Sequence, residues 1–148
     1  MSKPIKRKQR PQSKTLPAGD DSLDSVFERL SEMLARHAPP FRFQDLGVRD
    51  KKSVQLVVPN PVAIPGAYGG RPVDLQLAAA ILQKGYVGFY LMCIYMNDEQ
   101  KKKLSPALLK LLKGKTCFHV KKMDDALAKD IEAALGLGTK VYRERGWL

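Results

Sequence analysis

Eleven consecutive residues, Tyr86 to Met96, read Tyr-Val-Gly-Phe-Tyr-Leu-Met-Cys-Ile-Tyr-Met and carry no charge. A membrane-spanning helix needs about 20 such residues, so this run is too short to be one. A short segment apolar on both faces belongs in the middle of a sheet. Gly88 inside it marks a bulge or a close backbone approach. The preceding residues set the pairing. Leu75, Leu77, Ala79 and Ile81 alternate as in a strand, against the helix propensity of Ala78-Ala79-Ala80. Gly85 fits a tight turn, so segments 73–83 and 86–96 are read as a central hairpin.

Two further strands are expected. One spans 53–58, a β-branched run ended by Pro59-Asn60-Pro61. The other spans 115–121, where alternation separates Thr116, Phe118 and Val120 from Cys117, His119 and Lys121. A short helix is predicted from Pro106 to Lys113. Leu104, Leu108, Leu111 and Leu112 form its stripe, and Gly114 stops it. Amphipathic helices are predicted at 22–37 and 124–142. In the first, Leu23, Val26, Phe27, Leu30, Met33 and Leu34 share one face. In the last, Leu127, Ile131, Ala134, Leu135, Val141 and Tyr142 do so. Gly136 and Gly138 each weaken that helix by about 1 kcal/mol against alanine unless they allow close packing on the sheet. Residues 65–72 form a turn-rich loop without the ending or spacing of a phosphate-binding glycine loop.

The chain has 148 residues, enough for one core. Its net charge of +11 is unevenly placed. Lys3, Lys6, Arg7, Lys8, Arg10 and Lys14 are met by no acid before Asp20. Residues 1–20, broken by Pro4, Pro11 and Pro17, are therefore expected to form a disordered basic tail ahead of a domain at 21–148. Cys93 and Cys117 form no paired motif, and no secretory leader is evident. A cytoplasmic protein with reduced thiols, away from membranes, is expected.

Three groups of side chains invite a functional reading. Asp20, Asp24, Glu28 and Glu32 recur at i,i+4 on the first helix, with Asp21 beside them. Carboxylate oxygens suit hard cations, although early acids also complement the helix dipole. Lys101, Lys102, Lys103, Lys110, Lys113, Lys115, Lys121 and Lys122 form a run without an acid between Gln100 and Met123. Lysine binds phosphate without reading sequence, and an ordinary solvated face is the plainer alternative. Cys117 and His119 share a strand face. With Cys93 brought near by strand pairing, and with Tyr90, they are candidates for a ligand pocket. The plainer reading is core thiols and a satisfied histidine. No nucleophile, base and orienting group can be assembled, so no enzyme is expected.

The chain resembles the YdhG-like family of small bacterial proteins, a domain of unknown function. The resemblance rests on Gln83-Lys84-Gly85-Tyr86-Val87-Gly88-Phe89-Tyr90, on Leu112-Lys113-Gly114-Lys115-Thr116-Cys117-Phe118-His119-Val120-Lys121-Lys122, and on Tyr142-Arg143-Glu144-Arg145-Gly146-Trp147. It spans roughly Asp21 to Leu148. It implies an α+β sandwich, similar in shape to frataxin, with an antiparallel sheet of four to five strands against N- and C-terminal helices. Some members are proposed iron chaperones, and no catalytic residue set comes with the family. The leading expectation is a non-enzymatic binding or chaperone-like protein with iron as a weak ligand and no other cofactor. It would be a monomer or homodimer, with iron or a protein as its partner. The alternative is sequence-nonspecific nucleic-acid binding through the tail and the lysines.

Overall fold

The computed structural model describes residues 22–47, 51–95 and 98–148. The expected tail therefore lies outside the described residues. Helix α1 (Leu23–Ala35) starts at Ser22, whose hydroxyl accepts the Ser25 amide at 3.1 Å. That bond satisfies one of the amides a helix start leaves unpaired. The chain then forms β1 (Arg42–Asp45), β2 (Ser53–Val57), β3 (Gln76–Gln83) and β4 (Tyr86–Leu91). Two single-turn helices follow, α2 (Asp98–Lys101) and α3 (Pro106–Leu109). The elements β5 (Leu112–Lys113), β6 (Cys117–Val120) and α4 (Asp125–Glu144) complete the fold.

The fold is α+β. Its strands form one six-stranded antiparallel sheet in the order β1-β2-β3-β4-β6-β5. The central hairpin is present, with Gln83 opposite Tyr86 and Ala79 opposite Tyr90. Gly85, at φ +91°, makes its turn, a conformation that suits glycine. The sheet thus has more strands than the four to five expected.

One face of the sheet is covered by α1 and α4. Val87, Phe89 and Leu91 of β4, Phe118 and Val120 of β6, and Val54 and Leu56 of β2 point into a single apolar core. They meet Val26, Phe27, Leu30 and Leu34 of α1, and Ile131, Ala134 and Leu135 of α4. Each such side chain, fully buried, contributes about 1.5–3 kcal/mol. This layer, more than helix propensity, holds the two helices in place.

Helix α4 starts at Asp124, whose carboxylate accepts the Leu127 amide at 2.8 Å. Its end is closed by Gly146 at φ +80°. The Gly146 amide reaches Arg143 O and the Trp147 amide reaches Tyr142 O, each at 3.0 Å. This paired pattern caps the last carbonyls. It also places Trp147 edge-on against Tyr142, with ring centroids 5.0 Å apart. The Tyr142 hydroxyl donates to Gln76 O at 2.7 Å, tying the helix end to β3.

Three boundaries differ from the expectation. The strand expected at 86–96 ends at Leu91, and Met92–Ile94 form a 3-10 turn. Strand geometry would send one of the neighbours Cys93 and Ile94 out of the core, whereas the turn buries both. The helix expected to reach Lys113 ends at Leu109. Leu111 O then accepts the His119 amide, and the chain runs on into β5. Gly114 at φ +90° is accordingly the β5–β6 turn and not a helix stop. Finally, β1 was not anticipated. Only Phe43 among its residues packs on the core, so its sequence carries little apolar alternation.

Candidate functional site

The antiparallel register defines the second face of the sheet, opposite the helices. It carries Arg42 and Gln44 of β1 and Ser53, Gln55 and Val57 of β2. It continues with Gln76, Ala79, Ile81 and Gln83 of β3, then Tyr86, Gly88 and Tyr90 of β4. Cys117 and His119 of β6 and Lys113 of β5 complete it. None of these strand positions holds a carboxylate. Seven of the fifteen acidic residues instead lie in α1 and α4. Those two helices also carry four basic residues, so what sets the open face apart is the absence of carboxylates from its strand positions.

On the β1–β3 side the open face is lined by amides. Gln76 Nε2 donates to Gln55 Oε1 at 2.7 Å, and Gln55 Nε2 donates to Gln44 Oε1 at 2.6 Å. Beside them Arg42 pairs with Asp74 at 2.7 Å. On the β4–β6 side the face is aromatic. Tyr86 and His119 stack with centroids 3.8 Å apart and planes 11° from parallel. Tyr90 lies over Gly88. A methyl group at Gly88 would stand 3.0 Å from Tyr90 Cε1 and 3.4 Å from its Cζ. A larger residue there would push the ring away from its present seat.

Burial raises the pKa of Tyr90, and the hydrogen bond and charge of Cys117 raise it further. A hydrogen bond from Gln83 acts the other way, and the charge of Tyr86 adds a small rise. Tyr90, Cys117 and His119 therefore do meet on one face. Cys93 does not join them. It is buried on the helix side, its Sγ 3.3 Å from where a methyl group on Gly138 would stand. Burial pushes its thiol up to about 12. The cause is the 3-10 turn, which sends Cys93 under α4.

The eight lysines come from several elements. Lys113 stands on the open face opposite Cys117. Lys121 follows His119 by two residues, at the margin of the same face. Lys115 sits in the β5–β6 turn, its Nζ 5.5 Å from the Tyr95 ring centre. Lys101, Lys102 and Lys103 cluster at the end of α2, where Lys102 meets Glu99 at 3.3 Å. Lys110 caps α3, and Lys122 is exposed after β6. Lys51 was not anticipated. Its Nζ reaches Gln83 Oε1 at 3.0 Å and adds a further cation at the face.

The acidic stripe of α1 is also divided. A step of four residues advances about 40° beyond a full turn, so three steps sweep about 120°. Asp24 and Glu28 face Lys52 of the strand margin, whose Nζ stands 3.3 Å and 3.5 Å from their carboxylates. The cation at this pair is the protein's own ammonium. Glu32 turns instead into a groove of about 540 Å³ between α1 and α4, lined by Arg29, Arg36, Asp125, Lys129 and Glu132. There Arg29 pairs with Asp125 at 2.6 Å and Arg36 with Glu132 at 2.8 Å. His37 also reaches Glu132, at 3.2 Å. Asp20 lies outside the described residues. Among the described residues no three of His, Cys, Asp and Glu are grouped so as to hold a metal ion, and no helix is long and apolar enough to cross a membrane.

No family model, curated protein or solved structure matches the chain.

Proposed function

We propose that the protein is a non-enzymatic, sequence-nonspecific nucleic-acid binder that uses the lysine-margined open sheet face together with its basic N-terminal residues. The observation that carries this reading is the lack of carboxylates at the strand positions of that face. Carboxylates gather on the helix layer, while Lys51, Lys113 and Lys121 stand on or beside a face with none at its strand positions. A polyanion approaching that face meets cations at its margin, and the Asp74 carboxylate beside it is paired with Arg42. The sequence adds six basic residues from Lys3 to Lys14 and no acid among them. Lysine is a point charge, which favours phosphate over base edges and so predicts indifference to sequence. The amide row offers further neutral donors and acceptors along the same surface.

The test is fluorescence anisotropy of the full chain, and of a chain lacking residues 1–19, with DNA and RNA from about 50 to 200 mM salt. Affinity should fall steeply with salt. Removal of the N-terminal residues should weaken binding and flatten the salt slope. Lys113→Ala with Lys121→Ala should flatten it further. An absence of binding at the low-salt end for the full chain would rule the reading out.

A further inference from the structure

The geometry points to Tyr90, seated on Gly88 beside the Tyr86–His119 stack, as a base-stacking platform that selects a single-stranded polynucleotide over a duplex. This inference rests on the proposed nucleic-acid function and adds the form of the ligand. The argument begins at Gly88. Its missing side chain lets the Tyr90 ring lie against the sheet backbone with Cε1, Cζ and the hydroxyl all close to the glycine. One side of the ring, with its hydroxyl end, is thereby set against the glycine, and the residue remains half-exposed. Tyr90 is also paired on both sides, with Ala79 of β3 and Cys117 of β6, so the ladder fixes where its side chain leaves the sheet.

A flat, fixed and accessible aromatic ring is what an unpaired base stacks on. Duplex bases are already stacked on each other and cannot use it. Tyr86 and His119 extend the aromatic surface towards β6, since His119 stands directly opposite Gly88. The phosphates have a partner on the same line across the sheet. Tyr90 pairs with Cys117, and Cys117 pairs with Lys113. Lys113 is therefore two strands away, about 10 Å at the usual spacing. Stacking on Tyr90 and charge at Lys113 together match the two parts of a nucleotide. A double helix offers only the second.

The experiment is anisotropy of the full chain with labelled single strands of about 12 nucleotides, oligo(dT) and oligo(rU), against a duplex of the same length. Wild-type protein should bind both single strands more tightly than the duplex. Tyr90→Ala should lose roughly tenfold to a hundredfold on the single strands and change little on the duplex, with an unaltered salt slope. Tyr90→Phe should keep most of the affinity, because the ring and not the hydroxyl stacks. Lys113→Ala should lower the salt slope by about 0.7 for single strands. Equal binding of strand and duplex, or a Tyr90→Ala variant as tight as wild type, would overturn the platform while leaving nucleic-acid binding in place. Loss of a homodimer in Tyr90→Ala, with single-strand affinity intact, would likewise overturn it and assign the face to a second copy of the chain. Failure of every nucleic acid to bind would remove the underlying function as well.

Discussion

The two glycines of α4 should respond in opposite senses to the same substitution. Gly136 and Gly138 are two residues apart in one helix, and an alanine at either gains about 1 kcal/mol of helix propensity. Their surroundings differ. A methyl group at Gly136 would meet nothing within 4 Å. At Gly138 it would stand 2.6 Å from Leu77 Cδ1 and 3.3 Å from Cys93 Sγ. Leu77 is fully buried and Cys93 nearly so, and neither can swing into solvent. Overpacking of this kind costs about 1–3 kcal/mol. Because the propensity gain is common to both, it cancels in the comparison. Gly136→Ala should be more stable than Gly138→Ala by about 1–3 kcal/mol, or roughly 2–12 °C in Tm for a chain of this size. Urea unfolding followed by circular dichroism measures the difference. Adding Leu77→Ala to each should narrow the gap, because the new methyl group then fills part of the void. Equal stability of the two alanine variants would refute close packing of α4 on β3 at this point.

Four other outcomes follow from the structure. A thiol reagent near neutral pH should label Cys117 and leave Cys93 unreacted in the folded protein, since Cys93 is buried and its thiol is pushed up to about 12; mass spectrometry with and without denaturant reads this directly. The folded state holds the Cys93 proton more tightly than the unfolded chain, so its contribution is complete below its ordinary value of 9.0 and disappears as pH rises towards about 12. Stability by urea titration should fall over that window by up to about 4 kcal/mol, less steeply in Cys93→Ala. Gly146→Ala should cost about 1 kcal/mol, because alanine must adopt φ +80° to preserve the cap, and thermal melts would show it. Asp124→Ala should cost about 0.5–2 kcal/mol through the lost Leu127 bond, with Asp124→Ser restoring most of it.

The legible parts of this fold were those where one physical signal acted alone. Phe27, Leu30 and Leu34 are spaced so that only a helix places them together, and α1 has that stripe buried. The alternation through Leu77, Ala79 and Ile81 competed with alanine propensity, and strand pairing with β4 won because the ladder satisfies the backbone. Even there a bulge at Leu77 turns that side chain towards α4, which alternation alone does not foretell. A continuous apolar run such as Leu91-Met92-Cys93-Ile94 has no period, so its turn was invisible, and with it the true side of Cys93. The open face was half legible. Cys117 and His119 were assigned to one side, and Tyr90 joins them. The amide row of Gln44, Gln55 and Gln76 was not, because it draws one residue from each of three strands and exists only once the register is fixed.

The ends of the sheet bear on how such a protein survives at high concentration. Among the described residues no helix covers one broad face of the sheet, and a sheet's borders invite other chains to extend it. Here the border strand β5 is only two residues long and includes Lys113, so it offers an incoming strand very little ladder to zip onto. At the other border β1 has four residues, and one of them, Arg42, is tied to Asp74 and to Val58 O. Both border strands are therefore short, β5 most of all, and short edges disfavour growth by strand addition.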